Sequence, residues 1–300
     1  MQQLRYLVAI ADTLSFSQAA EICRVAQPTL SIQLKELESR LGARLVERTR
    51  ARVSVTPTGH EVARRARAML ASLDDIREIA LRNDPQAPQA LLQIGVVQTV
   101  GAYVLSITMP ALRAAFPNMK FQVREERGDT LLRQLGDGVH DLILLPDRTN
   151  RRDLECHHLL REPLMVVMPV DHPLARLDSI APKQLAGETV LAMECGHRLQ
   201  DQIIGLCRDA GAHHASDYQG TTLDTLRQMV AIGMGISLLP ALYVRSEVLR
   251  EQLVTARPMT HHTPVRDICL IWRQDAARGS TYAAIADSLR GSLQPWHVAG

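Results

Sequence analysis

The 300-residue sequence predicts two parts, a mostly α N-terminal winged helix-turn-helix carried on a long helix and a C-terminal α/β portion of two lobes. Three observations lead there. Residues 15–38 read SFSQAAEICRVAQPTLSIQLKELE, two short helical patterns about a tight turn. Val62, Ala66, Met69, Leu73, Ile76 and Ala80 keep a 4-3-4-3-4 spacing, the seam of a coiled coil. Beyond Gln89, short apolar runs alternate with helical patterns, as in a parallel sheet covered by helices.

Ser15 or Ser17 caps a first helix that contains Glu21 and whose apolar members include Phe16, Ala19, Ala20 and Ile22. Arg24-Val25-Ala26 has room only for a turn. Gln27 and Pro28 open a second helix, where proline is tolerated because the N–H it lacks would be unpaired in the first turn anyway. Leu30, Leu34, Leu37 and Leu41 recur at four, three and four residues and predict one buried face. The other face then carries Gln27, Thr29, Ser31, Gln33 and Lys35. Amides and hydroxyls suit base edges in a major groove, and Lys35 suits a phosphate. From Leu45 to Thr56 the pattern alternates, with Arg48, Arg50 and Arg52 at period two. On a β-hairpin wing those three face one way, toward a phosphate backbone. An ordinary helical hairpin with a solvated face shares the helix composition, and the charge distribution favours the DNA-binding reading over it. Residues 1–67 hold eleven Lys/Arg against six Asp/Glu in a chain of formal net charge +2, so the basic end is the one with the reading helix.

Thr56-Pro57 and a Thr58-x-x-Glu61 capping box mark the start of the long helix. Asn83-Asp84-Pro85 and Pro88 make a hinge at its end. Its seam predicts pairing of two protomers, which presents two reading heads to a two-fold site. In the α/β portion, strands are expected at 91–97, 119–125 and 141–145. Helices are expected from Tyr103 to Phe116, bent or broken by Pro110, and from Thr130 to Leu135. A second set follows, with strands at 164–168 and 189–193 and helices at 198–210 and 223–232. Cys269-Leu-Ile-Trp272 and the helix after Thr281 return to the first set. The boundaries read from this pattern are 1–57, 58–88 and 89–300. Lobe I spans 89–163 and 267–300, and lobe II spans 164–266.

The opening Met1-Gln-Gln-Leu-Arg5 has no export signal, and no apolar run approaches the ~20 residues of a membrane-spanning helix. A cytoplasmic protein with no membrane contact is therefore expected. Five cysteines lack metal-ligand spacing and fit reduced thiols, with Cys23, Cys156 and Cys269 read as inert because their neighbours are apolar. His157-His158, His213-His214 and His261-His262 are sequence neighbours whose side chains point apart, so no metal site is expected. No nucleophile elbow, Walker loop, dinucleotide fingerprint or zinc pattern is present, so neither catalysis nor a cofactor is expected. A solute-binding protein would share a two-lobed fold, but calls for an export signal and no reading helix.

The run from Leu4 to Gly59 holds Ser17-Gln18-Ala19-Ala20, Gln27-Pro28-Thr29-Leu30-Ser31, Leu37-Glu38-x-x-Leu41-Gly42, Leu45-x-x-Arg48 and Thr56-x-x-Gly59. It resembles the LysR-type transcriptional regulators. Asp171-His-Pro-Leu-Ala175 and Gly233-Met-Gly-Ile-Ser-Leu-Leu-Pro240 extend the resemblance over almost the whole chain. It implies a promoter-binding regulator, a dimer of dimers that works with RNA polymerase. It also implies a bilobal effector-binding domain like that of periplasmic binding proteins, with a small effector in the cleft. Thr99, Gly128, Thr221 and Thr222 stand at positions matching that inducer pocket.

Within the family the likeness is to the peroxide-sensing OxyR branch. Gln98-Thr-Val-Gly-x-Tyr103, Gly196-His197-x-Leu199-x-Asp201-Gln202, Gly205-x-Cys207 and Thr222-Leu-x-Thr-Leu-Arg-x-Met-Val-Ala231 carry it. In that branch a cysteine directly after Gly-His reacts with peroxide and a second, nine residues on, resolves it. Here the second survives as Cys207 and the first is Arg198, which cannot form a sulfenic acid. Arg198 beside His197 then reads as the anchor of an anionic effector, since a guanidinium offers a planar fork to oxyanions. Pairing with Glu194 as a fixed lock is its plain alternative. A second reading keeps thiol sensing, with Cys195 activated by the nearby cation and Cys207 resolving it.

Overall fold

The structure, a computed structural model, describes residues 1–48, 53–81, 90–193, 198–250, 252–260 and 263–296. Its head is built from α1 (Gln2–Thr13), α2 (Phe16–Ile22) and α3 (Gln27–Leu41), followed by a two-stranded wing of β1 (Val46–Arg48) and β2 (Val53–Val55). Ser15 caps α2 by accepting the Gln18 N–H, and Pro28 sits in the first turn of α3. Leu30, Leu34 and Leu37 enter a core with Leu7, Ile10, Phe16, Ala19 and Leu45. Leu41 does not. It is half exposed, because α3 ends there and Gly42 turns the chain away in the left-handed conformation.

The long helix α4 (Pro57–Leu81) begins against the wing. The cap is Thr56, whose hydroxyl oxygen accepts the Gly59 N–H at 2.9 Å. The expected Thr58–Glu61 box is not used, and Glu61 instead pairs with Arg64 and Arg65. Gly59 is needed because a Cβ there would collide with the Leu45 carbonyl. Ala63 enters the head core and Val62 packs against it, whereas Met69 and Ile76 are exposed. The expected hinge at Asn83-Asp84-Pro85 and Pro88 lies outside the described residues.

The α/β portion opens with β3 (Ala90–Val96), α5 (Gly101–Ala115), β4 (Met119–Glu125), α6 (Gly128–Gly136) and β5 (Leu142–Leu145), and β3 lies between β4 and β5, parallel to both. Of the bend or break expected at Pro110, there is no break, and α5 is continuous through it. Next come β6 (Leu154–Pro169), β7 (Thr189–Met193), α7 (Arg198–Ala210), β8 (His213–Gly220), α8 (Leu223–Ala231), β9 (Ile236–Pro240), α9 (Ala241–Ser246), β10 (Val254–Pro258), β11 (Val265–Arg273) and α10 (Gly279–Leu293). The strands run in the order β4-β3-β5-β11-β6-β9-β7-β8, with β10 on β6.

One strand, β6, makes the crossing. The first half of β6 pairs with β11, and its second half pairs with β9 and β10. Two apolar cores result, one around Leu92, Leu144, Ile271 and Ile285, the other around Val166, Leu191, Ile203 and Leu238. Tyr103 packs against both, its ring edge-on to Tyr243 at 5.2 Å.

Candidate functional site

On the head, helical geometry divides the expected reading face into two flanks. Gln27, Ser31 and Lys35 lie four residues apart on one stripe, and Thr29 and Gln33 on another, about 200° round the helix. The first stripe faces the wing, where Ser31 and Lys35 border a hollow with Arg44 and Glu47. Gln33 turns to α1 instead, accepting from the Gln3 amide at 3.2 Å and donating to Glu36. Gln27, Thr29 and Lys35 are exposed, and Ser31 and Gln33 half-buried. Of the expected wing arginines, Arg48 ends β1, while Arg50 and Arg52 lie outside the described residues.

A cavity of about 970 Å³ opens between the two cores. It sits beyond the carboxyl ends of β3, β4 and β5, where open α/β sheets leave a crevice. Val97 and Thr99 follow β3, Arg127 and Gly128 follow β4, and Pro146 to Asn150 follow β5. From the other side Leu199, Asp201 and Gln202 of the first turn of α7 close it. The N-termini of α6 and α7 therefore both open on this space, and the positive ends of their helix dipoles favour negative charge there. Among the described residues three arginines line it (Arg127, Arg148, Arg266), matched by Asp129, Asp147 and Asp201.

Arg266 is the best-fixed of these. It is buried with Glu162, Nε to carboxylate at 2.7 Å, and donates to the Thr99 hydroxyl at 3.0 Å and carbonyl at 2.7 Å. The other Glu162 oxygen accepts the Leu242 N–H at 2.8 Å. Each charge has its partners, which is what makes a buried pair tolerable. Thr99 thus reaches the cavity, but as the partner of Arg266. Gly128 is also there, and a Cβ on it would meet only ordinary contacts with Leu145 and Val97. Thr221 and Thr222 do not line the cavity, for Thr222 spends its hydroxyl capping α8 through the Thr225 N–H at 3.0 Å. Arg198 supplies the first residue of α7, whereas His197, Cys195 and Glu194 lie outside the described residues.

Cys207 is buried in the second core, and burial pushes its thiol up from the ordinary range, away from reactivity. Cys156 and Cys269 are not the isolated apolar thiols the sequence suggests. They stand on the paired strands β6 and β11, their thiols close enough to set each other's acidity. The Cys269 thiol lowers that of Cys156, against burial, with the Thr149 backbone and the Arg148 cation adding to the effect. Cys156 in turn raises Cys269, which is fully buried. His157 and His158 point apart as expected, His157 stacking on Trp272 at 4.4 Å and His158 pairing with Asp267 at 2.9 Å.

Residues 1–60 match the bacterial regulatory helix-turn-helix proteins of the lysR family, and residues 85–294 match the LysR substrate binding domain. The chain belongs to the LysR family. It is a DNA-binding transcriptional regulator with an effector domain, not an enzyme. This LysR-type chain is 37% identical over 294 residues to the hydrogen peroxide-inducible genes activator of Dickeya chrysanthemi, spanning 98% of this chain and 96% of that one. It is 36% identical over 293 residues to the DNA-binding transcriptional dual regulator OxyR of Escherichia coli, spanning 98% and 95%. A full-length OxyR variant from Pseudomonas aeruginosa superposes with a TM-score of 0.82 at 32% identity, over 96% of this chain and 94% of that one. Among the described residues no helix is long and apolar enough to cross a membrane.

Sequence reasoning missed the Arg266–Glu162 pair, the Pro146–Asn150 wall and the Cys156–Cys269 pair. The wall was within reach, since open α/β sheets leave their crevice beyond the carboxyl ends of the strands and 141–145 was expected as one of them. The two pairs carry no local signal, because the pairing of β6 with β11 brings together residues more than a hundred positions apart.

Proposed function

We propose that this LysR-type regulator is switched by a small anionic effector in the cavity between the two cores, with Arg198 as its anchor. The observation that carries this reading is the convergence of the α6 and α7 N-termini on one space. Lining charges alone do not favour an anion, because the three arginines face three aspartates. The helix ends supply the bias, and Arg198 starts one of them. Gln27 and Ser31 on one flank of α3, with Thr29 and Gln33 on the other, read base edges, and Lys35, Arg48, Arg50 and Arg52 hold phosphates. The chain divides into head (1–57), linker (58–88) and effector domain (89–300). The linker seam pairs two protomers, and two such pairs make the unit that meets promoter DNA and RNA polymerase.

The test is a panel of small anions (sulfate, phosphate, dicarboxylates) followed by thermal shift and by promoter footprint. Arg198→Ala is expected to keep salt-dependent DNA binding and lose both responses to the anion. A retained response removes Arg198 from the site, and no anion response in the parent protein overturns the reading. A second reading, thiol sensing through Cys195 and Cys207, draws on the similarity to peroxide-inducible activators. Against it stands the burial of Cys207.

A further inference from the structure

We propose that Cys156 and Cys269 form a redox-active dithiol that a hydroperoxide oxidises to a disulfide between the paired strands β6 and β11. The site adjoins the anion cavity without sharing its anchor, is distinct from the Cys195/Cys207 pair, and does not rest on either reading.

Register puts the two residues together. Cys156 lies opposite Ile271 and Cys269 opposite His158, so the cysteines are diagonal neighbours on one face of the β6–β11 ladder. A diagonal of about 7–8 Å between Cα atoms is slightly longer than a disulfide spans, about 6.8 Å at most. The ladder shifts register between Ile268 and Cys269, and such an irregularity kinks and twists a strand locally. The two thiols are close enough to set each other's acidity, Cys156 downward and Cys269 upward.

Their surroundings assign the roles. Cys156 is half-buried and faces the Thr149 backbone, with the Arg148 cation near, both of which stabilise a thiolate. Cys269 is fully buried behind it, positioned to resolve and screened from bulk oxidant. Asp267 beside them is itself held by His158 and by Arg148 at 3.4 Å, which limits its repulsion of the thiolate.

The chemistry balances as two steps. Cys156 Sγ, as thiolate, attacks one peroxide oxygen; the O–O bond breaks, and the departing oxygen takes a proton and leaves as water or alcohol. Cys156 is then a sulfenic acid. Cys269 loses its proton, its sulfur attacks Cys156 Sγ, an S–S bond forms, and hydroxide departs with that proton as water. Two electrons pass from the thiols to the peroxide. Oxidation also removes the anion that Arg148 and Thr149 face. Both residues wall the cavity, so the thiol state reaches the cavity through the loop after β5.

The experiment uses the full reduced chain with stoichiometric hydrogen peroxide, then alkylation, trypsin and mass spectrometry. Trypsin frees 153–161 and 267–273, each holding one of the two cysteines and no other. The expected product is these two peptides linked, two hydrogens lighter than their sum. Cys269→Ala is expected to leave Cys156 as a sulfenic acid that dimedone captures, and Cys156→Ser to leave Cys269 unoxidised. Recovery of both parent peptides as alkylated thiols overturns the proposal. A link between Cys195 and Cys207 with 153–161 and 267–273 unlinked overturns it too, and moves redox sensing to that pair. The parent measurement decides the matter even if a variant fails to fold.

Discussion

His140 shows how one buried side chain sets a pH limit on this fold. Its ring packs against Gly95 of β3, where a Cβ would leave no room, and it is 1% exposed. Nε2 lies 2.9 Å from the Gln134 side-chain Oε1, an acceptor to which it donates, and Nδ1 is buried with no hydrogen-bond partner. A second proton on Nδ1 would be a buried charge with no acceptor. Burial, and then the Arg124 cation, therefore hold His140 below the ordinary histidine range. The unfolded chain takes up that proton near pH 6.5, and the folded one resists it. The histidine's contribution is thus intact above about pH 6.5 and is lost as pH falls from there toward the folded value. The urea midpoint should drop between pH 7.5 and 5.5, and His140→Gln should remove part of that drop even if it lowers both midpoints. An unchanged pH dependence in the variant would assign the acid sensitivity elsewhere. Single residues are also where the sequence was hardest to read. Leu41 keeps the periodicity of α3 yet is exposed, because periodicity marks a face and not where the helix stops. Thr222 looks like a pocket residue and caps a helix, because the two uses have one composition.

Elements were far more legible than residues. The ranges of β4, β7 and α7 follow from alternation or apolar spacing bounded by turn residues, signals that lie within one element. The extent of β6 was not visible. Its first half, Glu155-Cys-His-His158, is polar enough to read as loop, and only pairing with β11 on one side makes it strand. The strand β8 was missed for the same reason, being an edge strand rich in His, Ser, Asp and Gln. In α4 the seam spacing separates into two uses. Its first turns pack on the head, while Met69 and Ile76, one heptad apart, stand exposed in the single chain at 54% and 63%. Exposed apolar groups at that spacing await a second helix. Ile76→Glu is expected to move the protein toward monomer, raising the dimer dissociation constant at least about tenfold, since a carboxylate at the seam must lose its water. Sedimentation across a concentration series measures this. A parent protein that is already monomeric, or a variant that dimerises as well as the parent, would remove this stripe from the interface.

Across the whole molecule, Arg67 of α4 joins the reading head to the effector portion. Arg67, 14% exposed, pairs through Nη2 with Asp12 of α1 and through Nη1 donates to the Asp137 carbonyl at 3.2 Å. Asp137 caps the C-terminus of α6, the helix whose N-terminus opens on the cavity. The next residue, Gly138, has φ +72°, and a Cβ there would stand 3.2 Å from the Arg67 Cβ, so the turn is shaped for this approach. One rigid helix of nine residues, about 13 Å long, therefore runs from the cavity wall to a guanidinium that also holds the reading head. If this bridge couples the two parts, breaking it should loosen both ends together. Arg67→Ala is expected to speed hydrogen exchange at 137–139 and at the end of α1, with the head still folded and DNA affinity within about threefold. A double-mutant cycle of Asp12→Asn with Arg67→Gln should give a coupling of about 0.5–1 kcal/mol, the range of a partly exposed pair. Faster exchange at one end only would mean that Arg67 braces that part alone, and any transmission from cavity to head would then have to run through the residues between α4 and β3.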